Sequence, residues 1–160
     1  MKKIVVLSDT HGNRRDIEGL FPIMEESDMI IHLGDTSQDG NYIRSRFPQK
    51  TYLLNGNCDL TKLGEDELVL EIENVKVFAC HGHMYSVKQT SARLAARAKS
   101  LGCTLALYGH SHRAQEEQID GVLTVNPGTM SRYSKKSYCY LVICGDKAVA
   151  TTVYTDERNI

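Results

Sequence analysis

Five short apolar runs in this sequence each end in a glycine-containing turn that carries Asp, His or Asn. Val5-Val6-Leu7 leads to Asp9-Thr10-His11-Gly12, and Ile30-Ile31-His32-Leu33 leads to Gly34-Asp35. Tyr52-Leu53-Leu54 leads to Asn55-Gly56-Asn57-Cys58-Asp59, and Val77-Phe78-Ala79-Cys80 leads to His81-Gly82-His83. Leu105-Ala106-Leu107-Tyr108 leads to Gly109-His110-Ser111-His112. Carboxylates, imidazoles and a carboxamide make a mixed oxygen and nitrogen environment that needs no thiolate. Such donors suit Mn2+, Fe, Zn2+ or Co2+ rather than Ca2+ or a structural zinc. They are too many for one tetrahedral ion and enough for two ions sharing a carboxylate. Two metals about 3.5–4 Å apart clamp the attacking and leaving oxygens of a phosphoryl centre and lower the pKa of a bound water. Taken singly, Gly-Asp and Asn-Gly-Asn are ordinary turn signals, and His-x-His can be a solvated pair. In this order, each after an apolar run, they point to binuclear hydrolysis.

For these turns to meet, the runs before them must be neighbouring parallel strands, because ligands of open α/β sheets lie beyond the carboxyl ends of the strands. The apolar runs predict strands over 3–8, 29–33, 51–54, 68–72, 75–80, 104–108, 122–125, 138–143 and 148–154. Helices are expected at about 13–26, 40–47 and 87–100; in the last, Val87, Leu94, Ala95, Ala98 and Leu101 recur at helical spacing. Alternating strand and helix argues for an α/β core. The last third changes to successive strands with Asp120-Gly121 and Gly145-Asp146 turns, the pattern of antiparallel hairpins. A mixed α/β fold with two packed sheets is expected.

The chain has 160 residues and no linker, repeat or low-complexity tract, so a single domain over 1–160 is expected. With 41% apolar and 24% charged residues it is not a largely disordered chain. Nineteen Lys+Arg against twenty Asp+Glu leave a net charge of −1. That gives no basic field to hold nucleic acid or an anionic membrane. The apolar start, Ile4 to Leu7, stops at Ser8-Asp9, too short for a secretory or spanning segment. Five cysteines without a Cys-x-x-Cys pair argue against a disulfide framework and a thiolate zinc site, and fit a reducing cytoplasm. Most lie in apolar runs and read as small buried hydrophobes.

Asp9-x-His11, Gly34-Asp35, Gly56-Asn57-Cys58-Asp59, His81-Gly82-His83 and Gly109-His110-x-His112 resemble, in order, the five signatures of the calcineurin-like metallophosphoesterase superfamily. Asn126-Pro127-Gly128-Thr129 resembles the Asn-Pro-Gly-Ser/Thr turn of its short bacterial and archaeal YfcE-type phosphodiesterase branch. The resemblance implies two mixed β-sheets packed as a sandwich flanked by helices, with a binuclear metal site at the carboxyl edge of the strands. It assigns Asp9, His11 and His112 to one ion, Asn57, His81 and His110 to the other, and Asp35 as the bridge. It implies two divalent ions, with Mn2+ first and Ni2+, Zn2+, Fe2+ or Co2+ as alternatives. The reaction implied is hydrolysis of a small phosphodiester by in-line attack of a metal-bridging hydroxide, with Asn57 also orienting a substrate oxygen. Homodimers or higher homo-oligomers are common among such relatives.

Many members carry His after the motif asparagine, and that His protonates the departing alkoxide. Here Cys58 stands there, a poorer acid at neutral pH, and it reads as a packing residue. Its presence favours diesters and activated leaving groups over alkyl monoesters. His83 is a candidate for a group in the cleft, and Asn13 with Arg14 follows the first motif at an expected helix start. Arg132, in Ser131-Arg132-Tyr133-Ser134-Lys135-Lys136, is the best candidate there for a substrate contact, although such a charge run commonly forms a solvated loop. His32, inside its strand, reads as a satisfied core histidine. The alternatives are a phosphomonoesterase and a non-catalytic protein-binding scaffold of the same fold, as the retromer subunit is. Two divalent ions would bring four positive charges, of which Asp9 and Asp35 offset two, so the phosphate-attracting charge would come from metal.

Overall fold

β1 (Lys2–Leu7) is buried on both faces: Ile4 and Val6 enter one apolar cluster, Val5 and Leu7 another, and all four are inaccessible to solvent. A near-continuous apolar run satisfies this position in the middle of a covered sheet. The computed structural model describes residues 1–155; residues 156–160 of the expected domain lie outside the described residues. The first sheet adds β2 (Met29–His32), β3 (Thr51–Leu53), β9 (Ser137–Cys144) and β10 (Lys147–Tyr154), in the order β10-β9-β1-β2-β3. β1, β2 and β3 are parallel, whereas β9 pairs antiparallel with β1 on one side and β10 on the other. The second sheet contains β4 (Glu67–Ile72), β5 (Val75–Cys80), β6 (Leu105–Leu107), β7 (Gln115–Ile119) and β8 (Val122–Asn126), in the order β4-β5-β6-β8-β7. β5, β6 and β8 are parallel there.

The sheets face each other across a core that includes Ile4, Val6, Ile31, Val77, Leu105 and Leu141. On the outer side of the first sheet, Ile17 and Met24 of α1 (Arg14–Gly19) and α2 (Phe21–Glu26) and Ile43 of α3 (Ser37–Arg46) cover Val5, Leu7 and Ile30. α4 (Ala92–Ser100) lays Leu94, Ala95 and Ala98 on Phe78 and Ala106 of the second sheet. This is the expected two-sheet sandwich flanked by helices. No helix among the described residues is long and apolar enough to cross a membrane.

All nine expected strands form, each within one residue at either end. β7 was not visible as a strand: Gln-Glu-Glu-Gln-Ile shows no apolar alternation because it is an edge strand, exposed along most of its length. The expected helix over 13–26 is two helices meeting at Leu20, with Pro22 in the first turn of α2, where its missing N–H removes no internal bond. α3 begins three residues before the expected 40. Its start is fixed from a distance, where Ser37 N–H donates to Asp59 Oδ1 at 2.6 Å. α4 begins at Ala92, not at 87, because Ser86 has a left-handed backbone and Gln89 and Thr90 N–H turn back onto its carbonyl. Val87 is buried in the same cluster without being helical.

Candidate metal centre

The loops after β1, β2, β5, β6 and β8 are tied to one another before any side chain is considered. Asp9 N–H donates to Gly34 O at 2.9 Å, Gly109 N–H to His81 O at 2.8 Å, and Met130 N–H to Ser8 O at 3.3 Å. The Asn-Pro-Gly-Thr turn braces two of them. Thr129 Oγ1 donates to Asp9 O at 2.8 Å, and the Asn126 amide donates to Gly109 O at 3.1 Å and Ser111 Oγ at 3.0 Å. Eight non-glycine residues among those described have positive φ, and five of them are expected ligands: Asp9, His11, Asp35, His110 and His112. Such conformations cost about 1–3 kcal/mol each and gather where surrounding contacts enforce a functional geometry.

Asp9 is at the centre. Its Oδ1 lies 3.1 Å from His112 Nε2, 3.8 Å from His81 Nε2 and 3.9 Å from His11 Nε2. Its other oxygen, Oδ2, is fixed by the Ser8 hydroxyl at 2.6 Å and by His110 N–H at 3.0 Å. Asp35 Oδ2 lies 3.4 Å from His81 Nε2. Two compact donor groups result, Asp9 with His11 and His112, and Asp9 with Asp35 and His81. The resemblance gives the shared position to Asp35; the side chains as they stand give it to Asp9.

The donor set fits a metal on an observation internal to the chain. His81 Nδ1 is 2.8 Å from Leu33 O, so that nitrogen carries the proton and Nε2 presents a lone pair. Nε2 and Asp9 Oδ1 are both buried and have no hydrogen-bond partner, and they face each other at 3.8 Å. With the ring neutral, two buried acceptors face each other there and need a cation between them.

The electrostatics agree. Burial pushes the Asp9 carboxyl up, but the close approach of His112 and the His81 charge outweigh it and hold it below its ordinary value. Burial acts the same way on Asp35, and the close approach and charge of His81 hold it well below the carboxylate range. Burial lowers His81, but Asp35 and Asp9 raise it overall, while His112 is raised chiefly by the Asp9 carboxylate beside it. Metal therefore competes with protons here, and binding should release them.

His32 behaves as expected. Gly34 N–H donates to its Nδ1 at 3.1 Å, so Nε2 carries the proton and donates to Thr10 Oγ1 at 3.0 Å. Thr10 in turn donates to Asp39 Oδ2 at 2.6 Å. Burial pushes the His32 pKa down to about 4. A histidine depressed in the folded state takes up its proton more readily when unfolded, so stability is lost as pH falls from about 6.5 toward 4, by about 3 kcal/mol. His81 and His112 act with the opposite sign, losing their contribution as pH rises. Urea titrations of metal-free protein at pH 6.5 and 4.5 should show this loss, and His32→Phe should remove most of it. An equal acid loss in the variant would refute the assignment.

The remaining sequence candidates are placed as follows. The His110 ring lies 5.2 Å from the His81 ring, beside the two groups. Asn57 is exposed, with its amide toward Cys58 Sγ at 3.7 Å. Cys58 is not a packing residue: it is exposed, and its N–H donates to Asp35 Oδ1 at 3.0 Å, because the loop must present its backbone to the carboxylate. Burial of the thiol and the neighbouring Asp35 carboxylate raise its pKa, so it stays protonated at neutral pH. Cys80, Cys103 and Cys139 are the expected buried hydrophobes, whereas Cys144 is exposed. The His83 ring lies 5.6 Å from His81 and 6.2 Å from His110. Asn13 is buried, and its amide donates to Asp16 Oδ2 at 2.7 Å and Met130 O at 2.8 Å. These bonds brace the β1 loop and turn the Asn13 amide to the protein. Arg14 Nε lies 3.7 Å from Asp39 Oδ1, and Arg132 is exposed.

Two carboxylates carry structural roles that the sequence did not assign. Asp39 accepts from Thr10 and from Gly12 N–H at 2.7 Å, fixing the loop between Asp9 and Asn13. Asp59 accepts from the N–H groups of Asp35, Ser37 and Gly56, locking the second and third motifs together. Asp59 stood inside a motif; Asp39 had no local signal, since its partners lie in another loop.

A cavity of about 570 Å³ opens beside the centre, with His81 and His83 in its wall together with Met84 and Tyr85. Its charges are matched within the protein. Lys62 Nζ lies 3.8 Å from Asp66, Arg97 lies 3.2 Å from Glu67, and the Tyr85 hydroxyl donates to Glu67.

The probable metallophosphoesterase YsnB of Bacillus subtilis is 30% identical over 160 residues, covering 98% of this chain and 92% of that protein. The phosphodiesterase MJ0936 of Methanocaldococcus jannaschii is 29% identical over 150 residues, covering 82% and 86%. In fold, the chain is similar to a predicted phosphoesterase of Streptococcus pneumoniae, with TM-score 0.81, 23% identity and coverage of 97% and 90%. It is also similar in fold to Vps29 of Entamoeba histolytica in complex with zinc, with TM-score 0.74, 17% identity and coverage of 95% and 98%. Residues 1–147 match the calcineurin-like phosphoesterase superfamily domain, and the chain belongs to that superfamily.

Proposed function

We propose that the protein is a phosphodiesterase working with two divalent metal ions, Mn2+ foremost. The observation that carries the reading is the pair of buried, partnerless atoms, His81 Nε2 and Asp9 Oδ1, held 3.8 Å apart where the loops meet. When bound, the ions supply Lewis-acid charge on the phosphoryl oxygens and an acidified water. The chain supplies the rest. Leu33 O fixes the His81 tautomer, and Ser8 and His110 N–H aim the Asp9 carboxylate. Asp59 holds the Asp35 and Asn57 loops in register.

Two features favour a diester. Cys58 stands where a strong proton donor would serve a poor leaving group, and its thiol is a weak acid held further protonated by Asp35. The cavity beside His83 has room for a second ester arm, which a monoester lacks, and its matched charges suit an uncharged one. The relative named a phosphodiesterase supports the same choice.

Metal-stripped protein reloaded with Mn2+, Ni2+, Zn2+ or Mg2+ should hydrolyse bis(4-nitrophenyl) phosphate at least about tenfold more efficiently than 4-nitrophenyl phosphate. A strong monoester preference would overturn the diester reading. No bound metal and no hydrolysis with any divalent ion would favour the scaffold. In the same assay Cys58→His should speed cleavage of an alkyl leaving group by about tenfold or more while changing the aryl rate little, the range expected of a restored general acid. No gain on alkyl esters would show that proton donation does not limit the substrate range.

A further inference from the structure

We infer that a second cavity, of about 440 Å³ and walled by Asn13, Arg15, Asp16, Arg132 and Lys136, binds a phosphate monoester group carried on the substrate besides the scissile diester. The inference rests on the phosphodiesterase reading and names the substrate more closely. Three cations face one carboxylate there. Asp16 is already matched, by Lys136 Nζ at 3.7 Å and by the Asn13 amide at 2.7 Å. Arg15 and Arg132 have no hydrogen-bond or ion-pair partner among the described residues, so two arginines line one cavity without a matching carboxylate of their own. In a chain of net charge −1 this local excess is not the general background. The planar guanidinium fork matches phosphate oxygens in pairs, and a concave site with an excess of positive charge concentrates anions.

The cavity is built on segments that also hold the metal centre. One wall is the β1–α1 segment, where Asn13 follows His11 by two residues. The other is the segment running from Thr129, bonded to Asp9 O, through Met130, whose carbonyl takes the Asn13 amide, to Arg132. The segments that hold Asp9 therefore present the free cations. The cavity beside His83, by contrast, has its charges paired.

The test uses thymidine 5′-(4-nitrophenyl phosphate) with and without a 3′-phosphate. The wild type should prefer the 3′-phosphorylated diester by about tenfold or more in kcat/KM. In the R15Q/R132Q double variant this ratio should fall toward one, mainly through KM. Calorimetry on metal-free protein gives a second readout, in which thymidine 3′,5′-bisphosphate should bind at least about tenfold more weakly to the variant. Both arginines are exposed, so the variant should fold, which circular dichroism checks. Equal losses on both diesters would place the arginines on the scissile phosphate and overturn the inference, as would unchanged bisphosphate binding. If no diester is cleaved with any metal, the phosphodiesterase reading fails, and bisphosphate binding alone decides the cavity.

Discussion

Asp9→Asn is expected to remove hydrolysis by at least about a thousandfold and to abolish tight metal binding, more than the ten- to hundredfold typical of outer partners. No other side chain of the centre is held at so many points. One oxygen is common to both donor groups, and the other takes the Ser8 hydroxyl and His110 N–H. An asparagine would either turn its NH2 toward Ser8 and His110, setting donor against donor, or turn it toward the imidazoles and offer no lone pair to an ion. Removing the negative charge also removes the chief cause of the raised His112 pKa. Metal content after dialysis, with initial rates on an aryl diester, measures both effects. A variant that keeps its metals and loses less than tenfold in rate would show that Asp9 is not the shared ligand.

Gly56→Ala should have the next largest effect, although glycine has no chemistry of its own. A Cβ there would stand 1.9 Å from Asp35 Oδ1 and 2.7 Å from Asp35 N. The side chain could swing, but the backbone nitrogen cannot, because Asp59 Oδ2 holds it at 3.1 Å. Overpacking of this kind costs about 1–3 kcal/mol, and displacement of the carboxylate should reduce activity about a hundredfold. Gly121→Ala is the comparison. Its Cβ would meet nothing within 4 Å, yet its φ is +82°, so about 1–2 kcal/mol of stability should go with no change in rate. Urea midpoints and rates measured on both variants separate the two cases. Equal activity losses would mean that the close approach to Asp35 does not set the geometry of the centre.

The sequence by itself determined the donor types, their order, and that each follows a strand, because these are local facts. Two-sided burial is written as runs such as Ile4-Val5-Val6-Leu7, and sharp turns as glycines beside the ligands. It also marked His32 as a core residue, since an imidazole inside a buried strand must be bonded there. The tertiary structure alone brought Asp9 together with His11, His112, Asp35 and His81, turned the Asn13 amide to the Met130 carbonyl, left Cys58 exposed, and set Arg15 and Arg132 in the wall of one cavity. It alone showed β7, which pairs with β8 without any apolar pattern, and the start of α3, set by Asp59. The physical reason is the reach of the contacts. The Asn13 amide meets a carbonyl 117 residues away, and the Asp9 carbonyl meets a hydroxyl 120 residues away. Periodicity in a chain encodes burial and local backbone conformation, whereas such partners are set by the order in which the strands assemble.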